Sequence, residues 1–350
     1  MLYAGTTSIL SFKYSILNDT VKKLKRWSIS AGYILNLKNW SSETLNNEII
    51  VNLGPKDTRS FIHLNREINT LEGAVINPEN IKHISVHVPT HLKPLNDEQL
   101  GHYLAGLIDG DGHFSTQQQL VIAFHTLDAS LAYYIKKRLG FGNVRKIKDK
   151  NCFVLILSSK KGLMKVINLI NGKIRAENKY NQIVNNILNS SRYQEYIIDK
   201  DTKPTFFFKL NLDKNLENHW LAGFSDADGS FKIKILNRNN RIEVRLNYQI
   251  DQKKKDLLVL IRDYLGGNIS YRKTQDSYYY GSTSFGSAKN VIYYFDNFHL
   301  LSSKHINYLK WRKAYIIIQN KDHLNKKGLE KIIKLKSTMN RLSNTTQIDL

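Results

Sequence analysis

Paired acidic residues occur in two short stretches of the chain at the same internal spacing. Residues 104–112 read LAGLIDGDG, and residues 221–229 read LAGFSDADG. Asp111 and Asp228 therefore lie 117 residues apart (228 − 111), and every other position of the two stretches keeps this offset. Carboxylates of this kind can bind a divalent cation. A repeat in constant phase over such a distance predicts two similar domains in one chain.

Each acidic pair is predicted to lie at the end of a helix. Asn96 or Asp97 is a suitable N-cap for the first helix, and Gly112, directly after the last acid, is expected to stop it. Apolar residues recur between these ends at helical spacing. They are Leu100, Tyr103, Leu104, Leu107 and Ile108.

Small residues in the two helices predict that the helices pack on each other. Gly106 and Gly110 lie four residues apart, and so do Gly223 and Ala227. Such small pairs let two helices approach backbone to backbone. Each glycine costs about 1 kcal/mol of helix stability relative to alanine, and close packing would offset that cost.

Packing of this kind would bring Asp111 and Asp228 together at two helix C-termini, where backbone carbonyls lack partners. Two carboxylates and two free carbonyls form a site for a hard cation such as Mg²⁺. A helix cap and turn without any chemistry is the alternative, and the presence of two copies in phase disfavours it.

A calcium-binding EF-hand loop is a second alternative, because Asp-x-Asp-Gly occurs in such loops. Position six of the loop would be Phe114 or Phe231, where the EF-hand needs glycine. Position twelve would be Leu120 or Asn237, where it needs glutamate. The sequence therefore excludes this type of calcium site.

The two stretches resemble the signature of the LAGLIDADG homing endonucleases, in the two-motif, single-chain form encoded by group I introns of organelles. The resemblance covers roughly residues 96–320. It implies an α+β fold, a pseudo-twofold pair of αββαββα domains with antiparallel β-saddles, and a monomer with internal pseudo-symmetry. It also implies site-specific cleavage of double-stranded DNA with Mg²⁺ (or Mn²⁺), in the mitochondrion or another organelle.

The resemblance also assigns roles to individual residues. Asp111 and Asp228 would be metal ligands, and Gly110 and Ala227 would contribute their backbone carbonyls. The family has a polar residue after the second strand of each domain and a lysine at the start of each last helix. Gln252, Lys179 and Lys304 match these positions.

Three aspartates have other expectations. Asp128 aligns with Gln252 in the first domain but departs from the family pattern, and its other expected role is to cap the following helix. Asp109 and Asp226 are expected to be structural, bonding backbone near the helix ends.

The composition is compatible with this function. The chain of 350 residues carries 52 Lys and Arg against 30 Asp and Glu, a net charge of +22, which favours a polyanionic partner over a merely basic protein. Its single cysteine, Cys152, excludes an internal disulfide. The chain has no apolar run long enough for a membrane span, and its Asn, Lys, Ile and Tyr content is typical of an AT-rich organellar genome.

The chain is predicted to comprise four parts. Residues 1–95 form an N-terminal extension, partly ordered at best, and residues 96–192 form the first domain. A linker spans residues 193–214, and the second domain with a C-terminal helix spans residues 215–350.

An alternating strand at residues 241–251 is predicted to present polar side chains to DNA, because Arg, Lys, Asn, Gln and Glu can bond base edges in the major groove. An ordinary solvated sheet face would be equally polar. The candidate contacts in the second domain are Lys232, Lys234, Arg238, Arg241, Glu243, Arg245, Asn247 and Gln249. Those in the first domain are His113, Ser115, Gln117, Gln119 and His125.

Two other functions remain open from the sequence. An RNA-binding maturase that assists splicing of its own group I intron would share the fold and the positive charge. A DNA-binding scaffold with vestigial motifs would share them as well. Intact acids in both motifs favour the nuclease, since a pure maturase could lose them.

Overall fold

The computed structural model describes residues 83–196, 206–238 and 241–339. All of them belong to one compact unit, residues 64–350. Residues 1–82, most of the predicted N-terminal extension, lie outside the described part of the chain.

Two lobes follow each other along the chain, and each repeats the order helix, two strands, helix, two strands, helix. The first lobe consists of α1 (Asp97–Asp111), β1 (Gly112–Phe114), β2 (Leu120–His125), α2 (Ala129–Leu139), β3 (Asn143–Lys146), β4 (Cys152–Leu157), α3 (Lys160–Ile170) and α4 (Glu177–Ile183). The second consists of α5 (Trp220–Asp228), β5 (Gly229–Arg238), β6 (Arg241–Gln252), α6 (Asp256–Leu265), β7 (Asn268–Arg272), β8 (Ser277–Ser282), α7 (Phe285–Asn297), α8 (Lys304–Gln319) and α9 (Lys326–Thr338).

The strands form two antiparallel sheets with the same topology. Each sheet has four strands, in the orders β1-β2-β4-β3 and β5-β6-β8-β7. The register is also repeated, because Gly112 pairs with Ile122 and Gly229 pairs with Ile250. The predicted α+β class with two αββαββα units is therefore confirmed. Among the described helices, none is long and apolar enough to cross a membrane.

Helix α1 begins and ends where the sequence predicts, but its final glycine has a different role. Asn96 caps the start by accepting the N–H of Gln99 at 2.9 Å. Gly112 has φ −77° and ψ 150°, so it is extended and begins β1 at once. A Cβ on Gly112 would lie 2.7 Å from the Cα of Ile108. Glycine is needed here for close approach to the preceding turn, and a left-handed conformation is not involved.

The contact between α1 and α5 is made by the backbones themselves. A Cβ on Gly106 would lie 1.8 Å from the carbonyl oxygen of Trp220. In the same way, a Cβ on Gly223 would lie 1.9 Å from the carbonyl oxygen of Tyr103. The predicted packing of the two motif helices is therefore confirmed, and no side chain larger than hydrogen fits at either crossing point.

Residues 84–91, in the described end of the predicted N-terminal extension, contact the second lobe. Ile84 and Gln319 exchange two hydrogen bonds of 3.0 and 2.9 Å. Arg312 donates to the carbonyl of His87 at 3.1 Å. These contacts join residues more than two hundred positions apart, which local sequence patterns do not reveal.

Residues 206–219, which include the described end of the predicted linker 193–214, are held against the first lobe. The guanidinium of Arg175 donates to the carbonyl of Asn215 at 2.7 Å and to that of Asp213. The same guanidinium lies 5.3 Å from the ring centre of Trp220, at the start of α5. The linker therefore enters the second motif helix along a defined path.

We expect Gly106→Ala to destabilise the fold by about 3 kcal/mol or more, because the new methyl would overlap a backbone oxygen that cannot move independently. Urea unfolding monitored by circular dichroism would measure the change. Gly172→Ala is the control, since a Cβ there meets nothing within 4 Å and only its φ of +70° opposes the change. The control should cost about 1 kcal/mol. Equal effects of the two substitutions would contradict the steric account.

Candidate active site

One buried aspartate in each lobe joins the motif helix to the residues just before a later helix. In the first lobe this helix is α4, and in the second lobe it is α8. The carboxylate of Asp109 accepts two backbone N–H groups at 2.8 and 3.1 Å, and that of Asp226 accepts two at 2.7 and 3.3 Å. The donors are Arg175 and Ala176 in the first lobe, and Leu301 and Ser302 in the second. This geometry agrees with the structural role expected for the two acids.

Each buried aspartate also accepts a hydrogen bond from the opposite lobe. The hydroxyl of Tyr103 donates to Asp226 at 2.7 Å, and the indole N–H of Trp220 donates to Asp109 at 2.8 Å. Burial nevertheless raises the pKa of Asp109 to about 6, against the lowering effect of its hydrogen bonds. The sequence pattern alone does not assign a hydrogen-bonding role to Tyr103 or Trp220. They occupy the same position before each motif, so the repeat offset could have revealed them.

The second acids of the motifs, Asp111 and Asp228, lie at the adjoining ends of α1 and α5. A Cβ on Gly110 would be 2.3 Å from the Cβ of Ala227 and 3.0 Å from Oδ2 of Asp228. Asp228 is half-buried and Asp111 is exposed. Burial, and then the negative charge of Asp111, raise the pKa of Asp228 to about 6. The structure thus brings the two carboxylates into one electrostatic site.

Two lysines and one glutamine border this site. Nζ of Lys304 donates to the carbonyl of Ala227 at 2.5 Å, and Nζ of Lys179 donates to that of Gly112 at 2.5 Å. Nε2 of Gln252 donates to Oδ2 of Asp228 at 2.6 Å. Burial lowers the pKa of each lysine, and the nearby aspartates oppose this effect. The three residues that the family resemblance assigned to the site therefore lie beside the acid pair.

The first lobe has no equivalent of Gln252. Ile250 and Ile122 occupy matching positions, since each pairs with the glycine that follows its motif. Two residues further on, Gln252 corresponds to the buried Phe124. The alignment of Asp128 with Gln252 is therefore wrong. Strand β2 ends at His125, so Asp128 lies beyond the strand end, whereas Gln252 is the last residue of β6.

The donor atoms fit a hard divalent cation. The carboxylates of Asp111 and Asp228, with the carbonyls of Gly110 and Ala227, offer only oxygen. Within the described residues, no group of three or more His, Cys, Asp or Glu could hold a metal. Mg²⁺ commonly uses one or two carboxylates and completes its shell with water and substrate phosphates. This set therefore suits Mg²⁺ or Mn²⁺ on a phosphate substrate better than a structural zinc.

The candidate DNA-facing residues of the second lobe are partly exposed. Lys232 and Lys234 project from β5 into solvent. Arg245 and Glu243 are half-buried and bonded to each other at 2.5 Å. Arg238 and Arg241 pair through their backbones, and their side chains lie outside the described part of the structure.

Asn247 and Gln249 were expected to be exposed, and the structure buries both, at 4% and 8% exposure. They lie on the central strand β6, where β5 and β8 flank them on both sides. Asn247 donates to Gln249 at 3.3 Å, and Gln249 donates to Asp251 at 2.7 Å. Ile242 lies on the apolar face of the same alternating strand, yet it is 50% exposed where the strand extends past the core.

The candidate residues of the first lobe are more accessible. His113, Gln117 and His125 are exposed, while Ser115 and Gln119 are half-buried at the turn that they close. Ser115 donates its N–H to the carbonyl of Gln119 at 2.9 Å. Three of these five positions are therefore exposed, and β2 is a shorter strand than β6.

The chain has two repeated lobes, and the acids of their motifs meet where α1 and α5 are in contact. These features define a duplicated single-chain protein of the LAGLIDADG type. The sequence model of the LAGLIDADG endonuclease family matches residues 104–187 and 221–315. The chain belongs to this family.

Several named relatives are encoded in introns. An uncharacterised cox1 intron-2 protein of Schizosaccharomyces pombe is 57% identical over 95% of each chain. The intron-encoded DNA endonuclease aI3 of Saccharomyces cerevisiae is 31% identical over 65% of each chain. The intron-encoded RNA maturase bI4 of the same yeast is 26% identical over 61% of this chain and 30% of its own.

Solved structures share the fold. The meganuclease I-SmaMI, bound to uncleaveable DNA, has a TM-score of 0.53 and 23% identity, and the match covers 69% of this chain and 99% of that one. The homing endonuclease I-LtrWI, bound to its target DNA, gives the same score and identity over 70% and 99%. At this identity the likeness establishes the two-lobed architecture.

We expect Asp228→Asn to stabilise the metal-free protein at pH 8 by about 1–2 kcal/mol, because it removes a charge disfavoured by burial and by Asp111. A carboxyl titrating near pH 6 when folded and near 3.9 when unfolded penalises folding fully above pH 6. The gain should therefore shrink as pH falls from 6 towards 4. Thermal unfolding in EDTA at several pH values would measure it.

Asp111→Asn serves as the matched control for this experiment. Burial also raises the pKa of Asp111, against the effect of Lys304 and Lys179, but the residue is exposed where Asp228 is half-buried, so its substitution should change the melting temperature less. A loss of stability in Asp228→Asn at pH 8, or a gain that does not depend on pH, would contradict the burial account.

Proposed function

We propose that the protein is a homing endonuclease that cleaves both strands of a specific DNA site with Mg²⁺ or Mn²⁺. The observation that carries the proposal is the meeting of Asp111 and Asp228 at the ends of two helices in backbone contact. Lys179 and Lys304 border the same site. This is the chemistry that hydrolysis of a phosphodiester requires: anionic ligands for a cation, and cations for the phosphate.

The acids and lysines have separate tasks in this mechanism. Asp111 and Asp228, with the carbonyls of Gly110 and Ala227, would hold the ion. When bound, a divalent ion supplies charge stabilisation to the reacting phosphate. Lys179 and Lys304 would stabilise the additional negative charge that develops there.

Gln252 orients one carboxylate of the pair. Its amide donates to Oδ2 of Asp228 at 2.6 Å, which leaves Oδ1 free to bind a cation. Its carbonyl oxygen can in turn accept a hydrogen bond from water. Gln252 is therefore placed to order a water molecule beside the scissile phosphate.

The two sheets would bind the DNA duplex. Both lobes have the same sheet topology, so each sheet could bind one half of a DNA site. The net charge of +22 favours a polyanionic partner. Lys232 and Lys234 would contact phosphates or bases from β5, and His113, Gln117 and His125 would do so from the first lobe. The intron-encoded relatives support an organellar, mitochondrial origin and a target at the uninterrupted exon junction.

A role in RNA splicing is the alternative that the bI4 relative raises. A protein that only binds intron RNA needs the positive charge but does not need carboxylates around a cation. Both second acids of the motifs are present and adjacent, together with the lysines. The site therefore favours cleavage as the main function.

We expect Asp111→Asn or Asp228→Asn to reduce cleavage by at least 10³-fold while leaving DNA affinity within about threefold, since each removes a charged ion ligand from a preformed site. Cleavage of a plasmid carrying the joined exons, with gel-shift titration in Ca²⁺, would measure both. Asp97→Asn is the control, at the other end of α1, roughly 20 Å away. Wild-type cleavage rates in either site variant would exclude the proposed role.

We expect Lys232→Ala and Lys234→Ala each to lower the dependence of DNA binding on salt. Loss of one phosphate contact should reduce the slope of log K against log salt by about 0.9. Fluorescence anisotropy from 50 to 300 mM KCl would give the slope. Lys334→Ala, on the exposed surface of α9, is the control and should leave the slope unchanged. An unchanged slope in both β5 variants would place the DNA elsewhere.

A further inference from the structure

Asp128 connects the first lobe to the start of a helix in the second. It precedes α2, where a capping side chain would be expected, but makes no side-chain bond to that helix. Its Oδ1 instead accepts the backbone N–H of Ser303 at 2.6 Å. Ser303 is the residue before α8, so the carboxylate of one lobe meets the first turn of a helix in the other.

The start of α8 requires an acceptor of this kind. The first backbone N–H groups of a helix have no partner within it, and the positive end of the helix dipole favours a carboxylate. Ser303 does not cap α8 with its own side chain. The hydroxyl of Ser302 accepts the N–H of Lys304 at 3.2 Å, and Asp128 adds from the other lobe a charged acceptor for the N–H of Ser303.

The residue held next to this contact is Lys304. Its ammonium group donates to the carbonyls of Ser225 and Ala227 at 3.2 and 2.5 Å, at the end of α5. The negative charge of Asp128 also acts on this ammonium, together with those of the three site aspartates. Any shift of the first turn of α8 would therefore move Lys304 relative to Asp228.

The second lobe has no matching arrangement. Helix α2 starts at Ala129 and helix α6 starts at Asp256. Lys255 therefore occupies the position in the second lobe that Asp128 occupies in the first. Lys255 is exposed, and an ammonium group cannot accept an N–H bond. The other lysine, Lys179, therefore lies on a helix that receives no capping carboxylate from this position.

We propose that Asp128 is a positioning residue for Lys304, so that one half of the active site depends on the opposite lobe through a contact that the other half lacks. The inference rests on the proposed nuclease function. Each lysine borders one of two acids related by the pseudo-twofold axis, and each half would act on one DNA strand. Loss of Asp128 should therefore slow the cleavage of one strand selectively.

The test uses the full-length protein and a duplex of the joined exons that flank this reading frame, with a different dye on each strand. Single-turnover nicking rates are measured for both strands in Mg²⁺. We expect Asp128→Ala to slow one strand at least tenfold and the other less than twofold. Asp128→Asn keeps an acceptor oxygen for the N–H of Ser303 and should restore most of the lost rate. Lys255→Ala should leave the ratio of the two rates unchanged.

A second measurement does not depend on activity. Hydrogen exchange in the first turn of α8 should accelerate at least tenfold in Asp128→Ala, while exchange in α4 should not change. Unchanged exchange in α8, or equal slowing of both strands, would overturn the proposal. If the wild-type protein cleaved neither strand but exchange accelerated in α8 alone, the contact between the lobes would stand and the nuclease function would fail.

Discussion

Direct backbone contact between α1 and α5 is the constraint on which the rest of the structure depends. At Gly106 and Gly223 the space for a Cβ is already filled by a carbonyl oxygen of the opposite helix. The helices cannot separate by the width of a methyl group without also separating the residues that follow the crossing points. The position of Asp111 and Asp228 is thus set by the absence of two side chains at the crossing points.

Helix geometry divides the four motif aspartates into two tasks. Successive residues of a helix turn by 100°, so aspartates two positions apart point in nearly opposite directions. Asp109 and Asp226 point into the lobes and accept N–H groups ahead of α4 and α8. Asp111 and Asp228 lie at the helix ends, where a hard cation, the nearby ammonium groups and the amide of Gln252 can stabilise their charge. Asp109 and Asp226 thereby hold the helices that carry Lys179 and Lys304 next to Asp111 and Asp228.

The features that the sequence predicted are those encoded within one element or by the repeat. The motif helices follow from the spacing of their apolar residues, and the strands follow from alternation. Contacts between distant residues left no such pattern. Asp128 and the segment around Ile84 each bond the second lobe from the first half of the chain. Alternation likewise assigned Asn247 to a face of β6 but could not show that neighbouring strands bury that face.

The pseudo-symmetry of the molecule is strict where backbone contacts impose it and absent where side chains are free to change. The helix crossing and the strand register repeat from one lobe to the other. Gln252, in contrast, corresponds to Phe124, and Asp128 corresponds to Lys255. A homodimer would have to carry each substitution twice. A duplicated chain can change one half alone, and DNA targets whose two half-sites differ favour such a change. A single chain with two lobes does not require both halves of the site to be built from the same residues, and this permits the asymmetry around the acid pair.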